Sequence, residues 1–223
     1  MTNKVIKLDI TSDSVCPFCY GFRKIEQAIE KVKADSPDVD FSIQFHPFLL
    51  DPNASKSPKN KRGVYIEKFG SAERVDGMIK MMKDKGKECG INFSYGGDIS
   101  QTTSSHRLIS KAYLKNGQDM QLDLINRIFK GYFENEKNVG DHAWLAQEAV
   151  ASKVFETTEE ALRFLESDEL LKEVQQEVLK SSTMGISGVP FTVIDNKYAV
   201  SGAQEPAVFT EIFSKVARGM PVA

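Results

Sequence analysis

Apolar and polar residues alternate along two short stretches near the start of the chain. The stretches are residues 4 to 11 (KVIKLDIT) and residues 39 to 48 (VDFSIQFHPF). This alternation has the period of a strand with one buried face. Residues 18 to 35, between them, carry apolar side chains at helical spacing and are followed by Pro37, which predicts one helix. The order strand, helix, strand favours two parallel strands joined by a right-handed crossover.

The other end of the chain predicts three more elements. Residues 189 to 195 (VPFTVID) and 197 to 202 (KYAVSG) are short β-branched and aromatic runs on either side of Asn196, which predicts a β-hairpin. Residues 206 to 219 then carry apolar side chains at helical spacing. Two strands and a helix would complete a small α/β sheet domain begun at the start of the chain.

The middle of the chain, residues 60 to 183, shows almost no strand pattern. Five segments have helical spacing instead, and several follow Asp, Ser or Thr and end near Gly or Asn: residues 72–90, 106–117, 120–135, 141–152 and 158–182. We therefore predict an α/β domain made of residues 1–58 and 184–223. An all-helical insertion of residues 59–183 would divide it.

Charge and composition argue against several functional classes. The chain has 29 basic and 31 acidic residues, which leaves no electrostatic footprint for nucleic acid. Its basic stretch from Lys56 to Arg62 is typical of a solvated loop. No stretch approaches the roughly 18 apolar residues of a membrane span, and residues 1 to 10 carry no secretory signal. A reducing, cytoplasmic location is therefore the expectation.

Cys16 and Cys19 stand where the first predicted strand gives way to the first predicted helix. Three cysteines are too few for a disulfide framework in a chain of this size. Unpaired backbone N–H groups at a helix start stabilise a thiolate and lower its pKa. Pro17 suits the first helical position, where no N–H is needed. We predict that Cys16 is an exposed nucleophile and Cys19 a more buried resolving thiol.

A metal site and an inert disulfide are the alternatives for this pair. A structural zinc site needs four ligands, and the remaining candidates are not spaced as a second pair: Cys89, His46, His106 and His142. A disulfide that closes so short a loop removes little entropy from the unfolded chain. We therefore expect no metal and a reversible dithiol.

Several motifs spread from residue 13 to residue 204 resemble one known family. They are DSVCPFCYG, FHPFLL, SSHRL, GYF and the pair GVPFTVID and YAVSGAQ. Together they resemble the DsbA-like thioredoxin fold with its large helical insertion, and within it the FrnE-like branch. Three residues depart from that branch: Phe18 lies where relatives often have Trp, Gln101 where many have Asn, and Ser105 where many have Ala. Phe18 adds no charge beside the thiolate, so no strongly oxidising potential is implied.

The resemblance implies that the Val189–Pro190 peptide bond is cis and lies beside the dithiol. The backbone of Val189 would then be free to pair with an extended substrate. The implied function is that of a thiol–disulfide oxidoreductase, with Cys16 attacking and Cys19 resolving. Substrate contacts are expected from the neighbours of both motifs, namely Pro17, Phe18, Val189 and Pro190.

Two other functions stay open. Kappa-class glutathione transferases and 2-hydroxychromene-2-carboxylate isomerases are similar in fold and insertion, and they activate the thiol of glutathione. They typically carry serine at the first cysteine position, so the presence of both Cys16 and Cys19 argues against this class. A non-catalytic partner-binding protein is the third reading. The expected partners are a disulfide-containing protein or small molecule and either glutathione or a thioredoxin-type reductant. No bound cofactor is expected, and a homodimer stays open.

A few further residues are candidates on weaker grounds. His106 would line the cleft opposite the dithiol, or serve a capping or core role. Gln204 would contact glutathione or a peptide by analogy with the family. Helix capping by its carboxylate is the preferred role for Asp13. Core packing is the preferred role for Trp144 and Cys89, and core packing or a substrate groove for Met78, Met81 and Met82.

Overall fold

The computed structural model describes residues 4–222 and contains a four-stranded sheet in the order β2-β1-β5-β6. In chain order the elements are β1 (Lys4–Ser12), α1 (Pro17–Tyr20), α2 (Arg23–Asp35), β2 (Val39–Pro47), β3 (Lys59–Asn60), α3 (Lys61–Phe69), α4 (Ala72–Glu88), β4 (Asp98–Ile99), α5 (Thr103–Glu134), α6 (His142–Ala151), α7 (Thr158–Glu166), α8 (Leu171–Thr183), β5 (Phe191–Ile194), β6 (Tyr198–Ser201) and α9 (Pro206–Ala217). Helices α3 to α8 thus follow β2 and precede β5.

The sheet brings together the two ends of the chain that carry the sequence motifs. β1 and β2 are parallel, as the strand–helix–strand order predicts. β5 and β6 form the predicted hairpin, and Asp195 and Asn196 in its turn have φ values of 51° and 54°, as a tight two-residue turn requires. β5 is antiparallel to β1, with Thr11 opposite Phe191. The residues just after β1 therefore adjoin those just before β5.

β2 is an outer strand of the sheet, and α5 covers its edge with side-chain amides. The Gln121 side chain accepts a hydrogen bond from the Phe45 N–H at 2.8 Å and donates one to the Phe45 carbonyl at 3.1 Å. Gln118 accepts from the Ile43 N–H at 2.7 Å. These amides satisfy backbone groups that another strand would otherwise pair. They also fix α5 against the sheet.

The structure changes the predicted helix boundaries in the insertion. The helices predicted over 106–117 and 120–135 form one element, α5, with a kink where Asn116 and Gly117 leave helical geometry. Gly117 has φ of 66°, which glycine adopts without steric cost. Conversely, the single helix predicted over 158–182 is divided into α7 and α8, and Leu170 before α8 has φ of 59°. An amphipathic pattern can continue across such a break, so spacing alone did not show it.

Arg107 binds the C-terminal end of α7. Its guanidinium donates to the carbonyls of Phe164 at 2.8 Å and Ser167 at 2.7 Å. The Phe164 carbonyl also accepts from the Ser167 N–H at 3.2 Å, and Ser167 is the residue just after α7. A buried arginine from α5 therefore adds donors at the C-terminal end of α7 and holds that end against α5.

The prediction of a solvated loop from Lys56 to Arg62 is wrong at its end. Lys61 begins α3 and is 1% exposed. Its Nζ donates to the Tyr132 carbonyl at 3.1 Å and lies 3.9 Å from the centre of the Tyr132 ring. Asn60 caps the helix by accepting from the Gly63 N–H. A lysine within a basic stretch gives no sequence signal that its side chain turns inward.

An aromatic cluster joins the dithiol segment to the insertion. The ring of Tyr20 stacks on Phe133, with centroids 5.6 Å apart, and lies 5.4 Å from Phe129. Its hydroxyl donates to Glu134. Nearby, Trp144 is 5% exposed, which confirms its predicted place in the core. The insertion therefore packs directly beneath the residues that follow Cys19.

Candidate functional site

The two cysteines lie at a single helical turn that directly follows β1. α1 begins at Pro17, ends at Tyr20, and has Cys16 as the residue before its first turn. The backbone N–H groups of Gly21 and Phe22 donate to carbonyls three residues back, at 3.1 Å each. This tighter bonding ends α1 before α2 starts. The one continuous helix predicted here is therefore wrong, although the start of that helix is where the sequence places it.

The pKa of the Cys16 thiol lies below its ordinary value. The largest cause is a hydrogen bond from the Cys19 thiol, which burial opposes. The backbone N–H groups of Cys19 and Phe18 lower this pKa further, and the charge of Asp13 raises it. The N–H contribution is the one expected at a helix start.

The pKa of the Cys19 thiol is displaced in the opposite direction, well above its ordinary value. Burial is the largest cause, followed by the hydrogen bond to Cys16 and the negative charge of the Cys16 thiolate. The Ser12 hydroxyl and the Asp13 backbone partly counter these effects. Both cysteines are free thiols in the structure. Of the two thiols, Cys16 is therefore the one that ionises more readily.

Cys16 is not exposed in the way that we predicted. It is 3% exposed and Cys19 is 2% exposed, so accessible surface does not distinguish the two residues. Cys16, but not Cys19, lines a cavity of about 530 Å³ together with Pro17, Phe18 and Val189. A substrate would reach Cys16 through this cavity rather than at an open surface.

The Val189–Pro190 peptide bond is cis and directly contacts the dithiol. The Cys16 thiol donates to the Val189 carbonyl, with 3.4 Å between sulfur and oxygen. The Pro190 carbonyl accepts from the Gly202 N–H at 2.9 Å. The loop is thus held to the hairpin on one side and touches the sulfur on the other. While Cys16 is protonated, its thiol occupies the carbonyl that we expected to pair with a substrate strand.

Asp13 and His106 form a buried pair next to the dithiol. Their side chains are 1% and 4% exposed, and Asp13 Oδ1 lies 3.3 Å from His106 Nε2. Asp13 Oδ2 accepts from the Leu50 N–H at 2.8 Å, and the Asp13 carbonyl accepts from the Cys16 N–H at 3.0 Å. The structure therefore corrects the expected positions of the His106 and Asp13 side chains. His106 contacts Asp13 and does not line the cavity, and the Asp13 carboxylate does not cap α1.

Gln204 and Pro190 lie at a different surface from the cavity. They border a recess of only about 10 Å³, together with Phe18 and Cys19. The Gln204 side chain is exposed, and its amide donates to the Ser201 carbonyl at 2.9 Å. Gln204 therefore lies near Cys19 but outside the space that Cys16 faces.

The opposite wall of the cavity comes from helices that carry no recognised motif. α3 and α4 supply mainly apolar side chains, among them Val64, Tyr65, Phe69, Met78, Met81 and Met82. Met78, Met81 and Met82 therefore line the cavity, which is the groove alternative of the sequence analysis, and Met82 is also buried. Burial is the main cause of a raised pKa at Tyr65, and the negative charge of Cys16 contributes. Our sequence analysis missed Tyr65 because its spacing is that of any amphipathic helix.

Residues 4–222 contain neither a cluster of potential metal ligands nor a helix that could span a membrane. Within this range, no three His, Cys, Asp or Glu side chains lie close enough together to hold a metal ion. In the same part of the chain, each helix is too short or too polar to cross a bilayer. Cys89 lies half-buried at the end of α4, apart from Cys16 and Cys19.

A free dithiol at a one-turn helix, beside a cis-prolyl bond on a four-stranded sheet, defines a thioredoxin-like protein with a helical insertion. The chain matches the family model described as DSBA-like thioredoxin domain over residues 7–214, and it belongs to that family. The predicted family and fold class are thereby confirmed. The FrnE-like branch within the family stays a prediction.

Solved structures agree with this assignment. A probable DsbA oxidoreductase from Streptomyces coelicolor is 27% identical, with a TM-score of 0.84 over 98% of this chain and 92% of that chain. A 2-hydroxychromene-2-carboxylate isomerase is 14% identical, with a TM-score of 0.63 over 96% of this chain and 97% of that chain. The cytosolic disulfide reductase DsbM from Pseudomonas aeruginosa, solved with GSH, is 14% identical, with a TM-score of 0.61 over 95% and 99%. The last two show the fold alone.

A comparison with curated protein sequences gave no match. The relatives therefore establish the family and the fold but not a reaction for this chain. Solved structures with this fold include proteins named as an oxidoreductase, as a disulfide reductase and as isomerases. The geometry of the dithiol has to decide between these chemistries.

Proposed function

We propose that this protein is a thiol–disulfide oxidoreductase in which Cys16 is the nucleophile and Cys19 the resolving thiol. The proposal rests on the opposite shifts of the two thiol pKa values. The pKa is lowered at Cys16 and raised at Cys19. Cys16 then ionises more readily than an ordinary thiol and is the better nucleophile, while Cys19 holds its proton more tightly. A serine in place of Cys16, as in the glutathione-dependent relatives, would not create this asymmetry.

The exchange reaction follows from the two sulfurs. The Cys16 thiolate attacks one sulfur of a substrate disulfide, forms a bond to it and releases the other as a thiolate. Cys19 then loses its proton to the released thiolate and attacks the sulfur of Cys16. The second substrate sulfur leaves, and a Cys16–Cys19 disulfide remains. The substrate gains two electrons and the dithiol loses two, and the reverse reaction would oxidise a substrate.

Formation of the mixed disulfide removes part of the obstacle to ionisation of Cys19. The negative charge of Cys16 and the hydrogen bond to it both raise the pKa of Cys19. Both effects end once Cys16 is bonded to the substrate. The Ser12 hydroxyl and the Asp13 backbone still favour the Cys19 thiolate. Cys19 therefore becomes a better nucleophile at the step in which it must attack.

Substrate contacts in this proposal come from the residues that share the cavity with Cys16. These are Pro17, Phe18 and Val189. Pro190 acts through its contact with the hairpin, which holds the Val189 carbonyl at the sulfur. We assign no substrate contact to His106 or Gln204, because neither residue lines the cavity.

A thiol reductant in a cytoplasmic compartment completes the proposed cycle. Glutathione or a thioredoxin-type protein would return the Cys16–Cys19 disulfide to the dithiol. Support comes from the similarity to a disulfide reductase that is named as cytosolic and was solved with GSH. The reductant acts as a co-substrate, so the proposal needs no bound cofactor.

The test is disulfide exchange by cysteine variants, measured with insulin and with dithiodipyridine. Cys16→Ser should abolish exchange, because it removes the attacking sulfur. Cys19→Ser should accumulate mixed disulfides at Cys16, detected by mass spectrometry, because no resolving thiol is present. Cys89→Ser is the matched control and should behave as the wild type. Full activity in both dithiol variants would rule the mechanism out.

The glutathione-dependent transferase or isomerase function makes a different prediction for the same variants. Such an enzyme activates the thiol of glutathione and needs no resolving cysteine. Conjugating or isomerising activity that depends on glutathione and survives Cys19→Ser would therefore favour this alternative.

A further inference from the structure

The cavity that contains Cys16 has walls made mainly of carbon atoms. One side comes from the dithiol loop and the loop before β5, with Val15, Phe18 and Val189, and the other from α3 and α4, with Phe69, Ile79 and Met82. Its volume of about 530 Å³ falls within the range of roughly 300 to 1,000 Å³ that is typical of small-molecule sites. The cavity is therefore large enough for an organic molecule that reaches Cys16.

The charged groups of this cavity are either exposed or already paired. The exposed charged residues are two acids and two bases, Asp51, Glu67, Lys59 and Lys68, so their charges cancel. Asp13 is buried, and its two oxygens are held by the Leu50 N–H and by His106. An anionic ligand would find no buried cation among the lining residues, and it would meet the negative charges of Asp13 and the Cys16 thiolate. The cavity therefore favours an uncharged ligand.

A polypeptide fits these walls poorly. Every peptide unit brings an N–H and a carbonyl that need partners once they are buried. The Val189 carbonyl is contacted by the Cys16 thiol, and α3 and α4 offer mainly apolar side chains. The flexible side chains of Met78, Met81 and Met82 can adjust to ring systems of different shape. These properties match a small apolar molecule better than an extended chain.

We propose that the substrates of the dithiol are uncharged, largely apolar small-molecule disulfides that bind in this cavity with the disulfide against Cys16. The proposal rests on the oxidoreductase function above and specifies its substrate class. Glutathione disulfide, with its several carboxylates, is then a poor substrate. Selectivity arises from the walls on α3 and α4 rather than from the dithiol itself.

The reaction balances within this substrate class. Cys16 forms a mixed disulfide with one half of the substrate and releases the other half as a thiol. Cys19 then displaces the second half, so that one disulfide molecule takes up two electrons and gives two thiols. The protein is left with a Cys16–Cys19 disulfide, and a dithiol such as dithiothreitol restores it in the test.

The experiment compares two disulfide probes of similar ring size. Dithiodipyridine is uncharged, whereas dithiobis(nitrobenzoate) carries a carboxylate on each ring. Second-order rate constants are measured with the reduced protein in single-turnover mixing, in a Cys89→Ser background so that Cys16 and Cys19 alone react. Each constant is divided by that of an unstructured peptide thiol with the same probe, which removes the intrinsic reactivity of the disulfide. Glutathione disulfide and insulin are measured in the same way.

Two cavity variants and one matched control test where the probe binds. Ile79→Trp fills the cavity and should slow dithiodipyridine by about tenfold, which corresponds to about 1.4 kcal/mol. Leu114→Trp adds the same ring at a residue that is 69% exposed on α5 and outside the cavity, so it should leave the rate within about twofold. Met78→Lys places a cation in the wall and should raise the rate of dithiobis(nitrobenzoate) relative to dithiodipyridine.

Alkylation by iodoacetamide separates failure of this proposal from failure of the proposed function. This small reagent reports the reactivity of Cys16 with little demand on the cavity, and its rate should fall much less in Ile79→Trp than the rate of dithiodipyridine. If dithiodipyridine reacts equally fast in Ile79→Trp, the cavity is not the substrate site. A normalised rate for glutathione disulfide or insulin above that for dithiodipyridine would also overturn the proposal. Reaction that persists unchanged in Cys16→Ser would instead remove the oxidoreductase function itself.

Discussion

Lys61 carries a buried charge beside the cavity wall, and its replacement by methionine gives a sharp test of the structure. The residue is 1% exposed and lies at the first position of α3, where the unpaired N–H groups of the helix disfavour a cation. Its Nζ has one carbonyl partner, that of Tyr132, and faces the Tyr132 ring. Methionine has a similar shape and no charge. Lys61→Met should therefore keep the packing and remove the electrostatic cost.

The size of the effect follows from the pKa of this ammonium group. Burial lowers the pKa of Lys61 from 10.5 to about 8, although Glu136 and Asp98 partly oppose the change. Between these two values the unfolded chain binds more protons than the folded one, so the stability of the wild type increases as pH rises. The full difference corresponds to about 3 kcal/mol, of which roughly 2 kcal/mol falls between pH 7 and pH 9.5.

The assay is urea-induced unfolding of the reduced protein at pH 7 and at pH 9.5, for the wild type and Lys61→Met. The gain in the free energy of unfolding between the two pH values should be about 2 kcal/mol smaller in the variant. Titration of the cysteines and tyrosines contributes to both proteins and cancels in this difference. Lys80→Met, at an exposed position of α4, is the matched control and should show the wild-type gain.

An equal pH dependence in Lys61→Met and the wild type would refute the reasoning. The side chain would then be hydrated in solution, and α3 would not be anchored on Tyr132. A variant that loses several kcal/mol at pH 7 would also contradict the argument. That result would mean that the contacts of the ammonium outweigh the cost of burying it.

Two further predictions concern the thiol and the packing of the insertion. Asp13→Asn should lower the pKa of Cys16, because the carboxylate charge raises it; the pH profile of iodoacetamide alkylation measures this, and a profile moved to higher pH would contradict it. Gly131→Ala should cost roughly 1 to 3 kcal/mol in urea unfolding, because a Cβ there would lie 2.1 Å from the ring of Trp144. Gly77→Ala has free space and should be neutral or stabilising, and equal losses in both variants would refute the packing argument.

The sheet domain was predictable because its signals are local and strong. The alternation in β1 and β2 reflects one buried face, and the parallel pairing follows from the helix between them. Asn196 marks the hairpin because a tight turn needs residues that tolerate positive φ. Cys16 and Pro17 mark the helix start by their chemistry. Each of these signals depends on neighbours in sequence rather than on distant contacts.

The remainder of the site depends on long-range packing that spacing does not encode. His106 contacts Asp13 across 93 residues, and Lys61 reaches the carbonyl of Tyr132 across 71. Neither partner could be inferred from sequence alone. The burial of Cys16 was also missed, because Cys16 contacts the carbonyl of Val189, 173 residues away in the chain. The helix start still predicted the direction of its pKa, which local N–H groups and Cys19 determine.

The two sides of the cavity, the dithiol segment and the wall of α3 and α4, differ in how many buried residues keep them in place. α5, on which the dithiol segment packs, has 14 buried residues, whereas α3 has only Lys61 and α4 has Val75, Met82 and Gly86. Elements with few buried side chains open locally at low cost in free energy. The wall formed by α3 and α4 can therefore move to admit a substrate while Cys16, Cys19 and Asp13 stay in place.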